Sequence, residues 1–146
     1  MLSVERHVLR RTFESLRACG RNRDECVVYW TGPVNRPGTV DDVVQPIHSA
    51  GRGWYEIDGA WITEFFMELR ATQRTARAQV HTHPGAFVDH SKTDDCYPLA
   101  PGDGFVSIVV PHFASGQVDL SDAGMAVQRA DGHWRNVDAR ELITWL

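Results

Sequence analysis

The sequence predicts an α/β domain, with helices packed on a sheet, and two kinds of segment predict it. Residues 3–20 and 58–71 carry apolar side chains at helical spacing. Residues 26–30, 78–83 and 105–110 are instead short runs bounded by glycine, proline or charge, the pattern of strands buried in a sheet. No linker divides these segments, so the expected organisation is one domain over residues 1–146, long enough to bury a substantial core.

In chain order, Ser3 can cap a first helix whose apolar positions are Val4, Val8, Leu9, Phe13 and Leu16, and Gly20 can stop it. Such a helix would cover one face of the sheet. Charged residues 21–24 then turn into a strand headed by Glu25, in which Val27, Val28, Tyr29 and Trp30 suit burial on both faces. Glu25 itself stands at the strand edge. Residues 31–39, with Gly32, Pro33, Pro37 and Gly38, form a turn-rich connection to a strand over residues 40–47. A second loop at residues 49–53 leads to Trp54, Tyr55, Glu56 and Ile57. Asp58 can cap the next helix, where Ile62, Phe65, Phe66 and Leu69 fall at i, i+3, i+4 and i+7 and face the core. Residues 78–80 run as a strand into His81 and His83, and Pro84-Gly85 ends it. Ser91 with Asp94 in the following turn fits a helix start that Pro98 keeps short. Strands over residues 105–110 and 125–129 and a terminal helix over 137–146 complete the expectation.

Charge and cysteine content exclude several classes. A formal charge of −4 argues against a general nucleic-acid binder, because phosphate affinity needs a basic surface. Arginines do cluster, at Arg6, Arg10, Arg11, Arg17, Arg21 and Arg23 and at Arg70, Arg74 and Arg77, and solvated helix faces account for them. Cys19, Cys26 and Cys96 are irregularly spaced and form no CxxC pair; Cys26 reads as buried packing and Cys96 as a bystander near the site. A reducing cytoplasm is the simplest setting. No apolar run resembles a signal peptide or approaches a membrane span, so a soluble intracellular protein is expected.

The chemistry concentrates in residues 81–94, HTHPGAFVDHSKTD. Two histidines one residue apart share a face of an extended strand, so both imidazoles can reach one metal ion. The full pattern is His81-x-His83-x7-Ser91-x2-Asp94, which adds a hydroxyl and a carboxylate at fixed offsets. Two imidazoles and one carboxylate suit zinc, and three protein ligands leave the fourth tetrahedral position for a catalytic water. Asp89, His90 and Asp95 lie in the same loop as alternative ligands; the register favours Asp94. His7, His48, His112 and His133 read as surface or satisfied core histidines.

This pattern resembles the JAMM motif of the JAB/MPN metalloprotease family, whose active members add a glutamate far upstream. Glu25 matches that glutamate: it heads the run Cys26-Val27-Val28-Tyr29-Trp30 and is followed by Thr31-Gly32. Each position alone is a weak signal, and the five together are a strong one. The resemblance implies an MPN fold, a cytidine-deaminase-like mixed β-sheet flanked by helices. It also implies one zinc per chain on His81, His83 and Asp94, Glu25 as general acid/base, and Ser91 as the donor to the oxyanion. The implied activity is isopeptidase or peptidase cleavage of a ubiquitin-like protein or its conjugates. No substrate-binding residue is readable. The chain is most similar to small bacterial members without large insertions. Two further readings stand beside this one: a metal-free MPN-type scaffold, which the intact five-residue set opposes, and a RadC-like nucleic-acid-associated protein, which the acidic balance opposes.

Overall fold

In a computed structural model, which describes residues 1–89 and 103–146, the chain folds as a mixed sheet with a long helix on each face. A short strand, β1 (Leu2–Val4), precedes helix α1 (Arg6–Gly20). Strands β2 (Val27–Pro33), β3 (Thr39–Val40) and β4 (Asp42–Val44) follow, then β5 (His48–Gly51) and β6 (Trp54–Ile57). Helix α2 (Gly59–Ala71) leads into β7 (Arg74–Thr82). After residue 103 come β8 (Val106–Val110), a single turn at His112–Ala114, β9 (Gly124–Gln128) and β10 (Trp134–Val137). Helix α3 (Ala139–Leu142) and β11 (Ile143–Trp145) end the chain.

The main sheet runs β10-β9-β8-β7-β2-β4. β7 and β8 are parallel, and the other neighbours are antiparallel. Side chains along a strand alternate between faces, and β2 shows what each face buries. Val28 and Trp30 join Val8, Phe13 and Leu16 of α1, while Tyr29 joins Phe65 and Leu69 of α2. This two-sided burial is the reason residues 27–30 carry no polar alternation. A buried polar contact ties α1 to the sheet: the Trp30 Nε1–H donates to Thr12 Oγ1 at 2.8 Å, and the Thr12 hydroxyl donates to the Val8 carbonyl at 2.7 Å.

Several expected elements differ. Ser3 does not cap α1; it lies in β1, which pairs in parallel with β3 and β11, and Glu5 occupies the N-cap without a side-chain cap bond. Arg21 then takes a left-handed conformation just past Gly20. The expected strand at residues 40–47 is two short ones, β3 and β4, which belong to different sheets. The expected loop at residues 49–53 is largely strand, since β5 and β6 pair antiparallel as a hairpin. Asp58 does cap α2, accepting from the Trp61 N–H at 2.9 Å. The expected terminal helix is instead β10, one turn of α3 and β11, because Ile143 is drawn into register with Leu2. Cys19 and Cys26 are joined as a disulfide, which corrects the reading of Cys26 as packing alone.

Candidate metal centre

The site is built where β2 begins and β7 ends. Val27 of β2 pairs with His81 of β7, and the ladder extends one step further: the Thr82 N–H donates to the Cys26 carbonyl at 3.0 Å and the Cys26 N–H to Thr82 Oγ1 at 2.9 Å. Carried on by one more residue, the same register sets Glu25 across from His83. Glu25 is only 5% exposed, His81 0% and His83 8%. Its backbone N–H donates to the Gly51 carbonyl at 2.9 Å, so the β5–β6 hairpin holds the chain at this point.

The two imidazoles converge. His81 Nε2 and His83 Nε2 lie 3.3 Å apart, and His83 Nδ1 lies 2.9 Å from the Phe87 carbonyl oxygen. A carbonyl only accepts, so Nδ1 of His83 carries the ring proton and Nε2 keeps its lone pair. Metal-binding histidines have this arrangement, one nitrogen tied to an acceptor and the other facing the ion. The spacing fits as well: zinc–nitrogen bonds of about 2.0–2.1 Å put two ligand nitrogens of a tetrahedron about 3.3 Å apart. The residues present therefore fit a zinc ion. Ser91 and Asp94 lie outside the described residues, as do His90, Asp95 and Cys96. Asp89 is described and is exposed.

The surroundings hold residues that motif reasoning did not single out. The Tyr55 ring packs against His81 with centroids 5.2 Å apart, and the Tyr55 hydroxyl accepts from the side-chain amide of Gln79, which shares His81's face of β7. Tyr29, on the same face of β2, is buried, and burial pushes its phenol far above the usual tyrosine range, so it stays neutral. Phe87 stacks on His83 at 6.0 Å while remaining 61% exposed, which makes it part of the rim. The Tyr55 contact joins segments that the sequence pattern does not link, so no local signal marks it, whereas Phe87 lies within residues 81–94, close to His83 in the chain. The backbone around His83 is fixed by the turn at His112–Ala114. The Phe113 N–H donates to the His83 carbonyl at 2.9 Å, the His112 N–H to Gly85 at 3.0 Å, and the His83 N–H to Val110 at 2.9 Å. Gly124 lets the following segment settle, because a Cβ there would collide with the Val88 carbonyl.

The remaining histidines divide. His112 and His133 are exposed, and His7 Nε2 lies 3.0 Å from the Asp41 carbonyl. His48, by contrast, stands 3.4 Å from Cys19 Sγ.

The chain matches no protein-family model. It is 29% identical over 134 residues to a probable metalloprotease of Sinorhizobium fredii, covering 87% of this chain and 81% of that protein. A solution structure of a Desulfitobacterium hafniense protein superposes with a TM-score of 0.70 at 14% identity, over 100% of this chain and 93% of the other. A JAB1/MPN domain protein from Archaeoglobus fulgidus gives 0.58 at 13% identity, over 99% and 97%. A structure of JAMM, a metalloprotease-like zinc site in the proteasome and signalosome, gives 0.56 at 13% identity, over 100% and 98%. The chain has the fold of these JAB1/MPN domain structures. The histidine pair stands at the end of β7 and Glu25 two residues before β2, its antiparallel neighbour, so the central sheet rather than a loop sets how they lie.

Proposed function

We propose that this chain is a JAB/MPN-type zinc-dependent peptidase or isopeptidase that hydrolyses the amide at the C-terminal tail of a ubiquitin-like protein, freeing it from a conjugate or trimming its precursor. One observation carries the hydrolase reading: two buried imidazole nitrogens converge at 3.3 Å, one with its tautomer set by Phe87, at the sheet end where Glu25 is also buried. His81, His83 and Asp94 would hold the ion. When bound, zinc acts as a Lewis acid and makes hydroxide accessible near neutral pH.

The rest of the chemistry belongs to the chain. Glu25 takes the proton of the attacking water as its oxygen forms a bond to the amide carbon, and returns that proton to the nitrogen as the carbon–nitrogen bond breaks. Ser91 donates a hydrogen bond to the oxyanion of the tetrahedral intermediate, a contact whose loss typically costs about 100- to 1,000-fold in rate. An extended tail is held most simply by strand addition along a sheet edge, with main-chain hydrogen bonds supplying affinity. A cytoplasmic setting completes the proposal; among the described residues no helix is long and apolar enough to cross a membrane.

The test is cleavage by the zinc-loaded chain of a ubiquitin-like fusion and of an unrelated peptide, each compared with His83→Ala. We expect cleavage of the fusion by wild type and none by the variant. Cleavage of the unrelated peptide alone would remove the substrate class, and failure on both would remove the peptidase reading.

A further inference from the structure

A second set of metal-ligand side chains lies outside the histidine pair. Cys19 sits in the last turn of α1, Cys26 one residue before β2, and His48 at the start of β5; two sulfurs and one imidazole nitrogen lie within 4.8 Å of one another. The cysteines are joined as a disulfide, His48 Nε2 is 3.4 Å from Cys19 Sγ, and the Gln45 side-chain amide donates to Cys26 Sγ at 3.0 Å.

The other side of the His48 ring carries the argument. Its Nδ1 lies 2.9 Å from the Pro46 carbonyl oxygen, so Nδ1 bears the proton and Nε2 turns its lone pair toward the sulfurs. A disulfide has no S–H to offer that lone pair. The arrangement is the one a metal-binding histidine needs, with the backbone carbonyl partner such histidines have. The cysteine Cα atoms are 6.1 Å apart. Zinc–sulfur bonds of about 2.3 Å place two thiolates of a tetrahedral site about 3.8 Å apart, a separation that side-chain rotation reaches from Cα atoms so placed.

We propose that when the bridge is reduced, Cys19, Cys26 and His48 bind a thiophilic divalent cation, zinc, at a site separate from His81 and His83. A dithiol reductant opens the bridge: the S–S bond breaks, two S–H bonds form, and the reductant leaves as its own disulfide, having supplied two electrons and two protons. Zinc then displaces both thiol protons and forms two bonds to sulfur and one to nitrogen, with water in the fourth position. Disulfide and metal are mutually exclusive here, and because Cys26 follows Glu25, the state of this site also sets how the chain beside Glu25 is tethered. The proposal does not depend on the hydrolase reading.

The full chain, with His83→Ala to weaken the first site, is reduced with a phosphine and titrated with cobalt(II). Thiolate ligands give an intense near-ultraviolet charge-transfer band that histidine and carboxylate ligands do not. We expect that band at one cobalt per chain in the reduced protein, none in the oxidised protein, its loss in Cys26→Ser and in Cys19→Ser, and at least a tenfold loss of affinity in His48→Ala. Wild type should take up one more zinc reduced than oxidised. Absence of the band from the reduced, folded protein overturns the site. A band of undiminished intensity in Cys19→Ser, which changes only a half-buried helix-end residue, would show that Cys19 is not a ligand and overturns the site equally.

Discussion

Glu25 lies 56 positions before His81, and only the pairing of β2 with β7 brings the two strand ends together. If it carries the proton without ligating metal, as proposed, it should be dispensable for zinc but needed for the chemical step. We expect Glu25→Gln to keep its zinc and to cleave a ubiquitin-like fusion at least about 100-fold more slowly, the usual size of a general acid/base contribution; single-turnover cleavage alongside zinc content measures this. Near-normal cleavage by the loaded variant would reject the role, and loss of zinc would make Glu25 a ligand. Ser91 offers a sharper division, because a hydroxyl in this position can serve the oxyanion or cap a helix. Ser91→Ala should retain zinc and lose about 100- to 1,000-fold in turnover if it serves the oxyanion. A drop of about 1 kcal/mol in stability with turnover intact would mark it as a cap instead. Kinetics and melting on one preparation separate the two.

Among the described elements, the turn at His112–Ala114 is the most costly in backbone terms. His112, Phe113 and Ala114 have φ of 55°, 53° and 63°, the left-handed region that disfavours residues with a Cβ by roughly 1–2 kcal/mol each. The cost is offset by the hydrogen bonds that this turn and Val110 make to His83 and Gly85, and by burial of Phe113 and Ala114. His112 is exposed and contributes little side-chain packing, so His112→Gly should relieve part of the strain. We expect a gain of about 0.5–1 kcal/mol in denaturant unfolding, with zinc content unchanged. A loss of stability would mean that the His112 side chain supports the turn in a way its exposure does not suggest.

For the whole molecule, the histidine pair joins β7 to the segment after it, so an ion held there should act as a clasp on the fold. Metal that binds only the native state stabilises by mass action, about 2.7 kcal/mol at a hundredfold excess over Kd, which for a chain of this size amounts to several degrees in Tm. Chelation should therefore lower the melting temperature of wild type and leave His83→Ala nearly unmoved. Equal shifts in both would place the stabilising metal elsewhere, with the Cys19, Cys26 and His48 cluster the first place to look.

The helix stripes, the buried strands and the histidine pair follow from the local pattern of residues, because hydrophobic periodicity and strand alternation are properties read over a few positions. Phe65 and Leu69 do face the core, and Val28, Tyr29 and Trp30 are buried on both sides of the sheet for the reason their composition suggests. The resemblance to the JAMM pattern added Glu25. Tertiary structure decided what depends on partners distant in the chain. The capture of Ile143 by Leu2 turned an expected helix into strand β11, and pairing with β6 turned an expected loop into β5. Tyr55 came to lie on His81, and Cys19 came to meet Cys26 beside His48, through packing between elements whose separate patterns say nothing of one another. A strand propensity is weak until a neighbour supplies the other half of its hydrogen bonds, and which neighbour does so is settled only when the whole chain has packed.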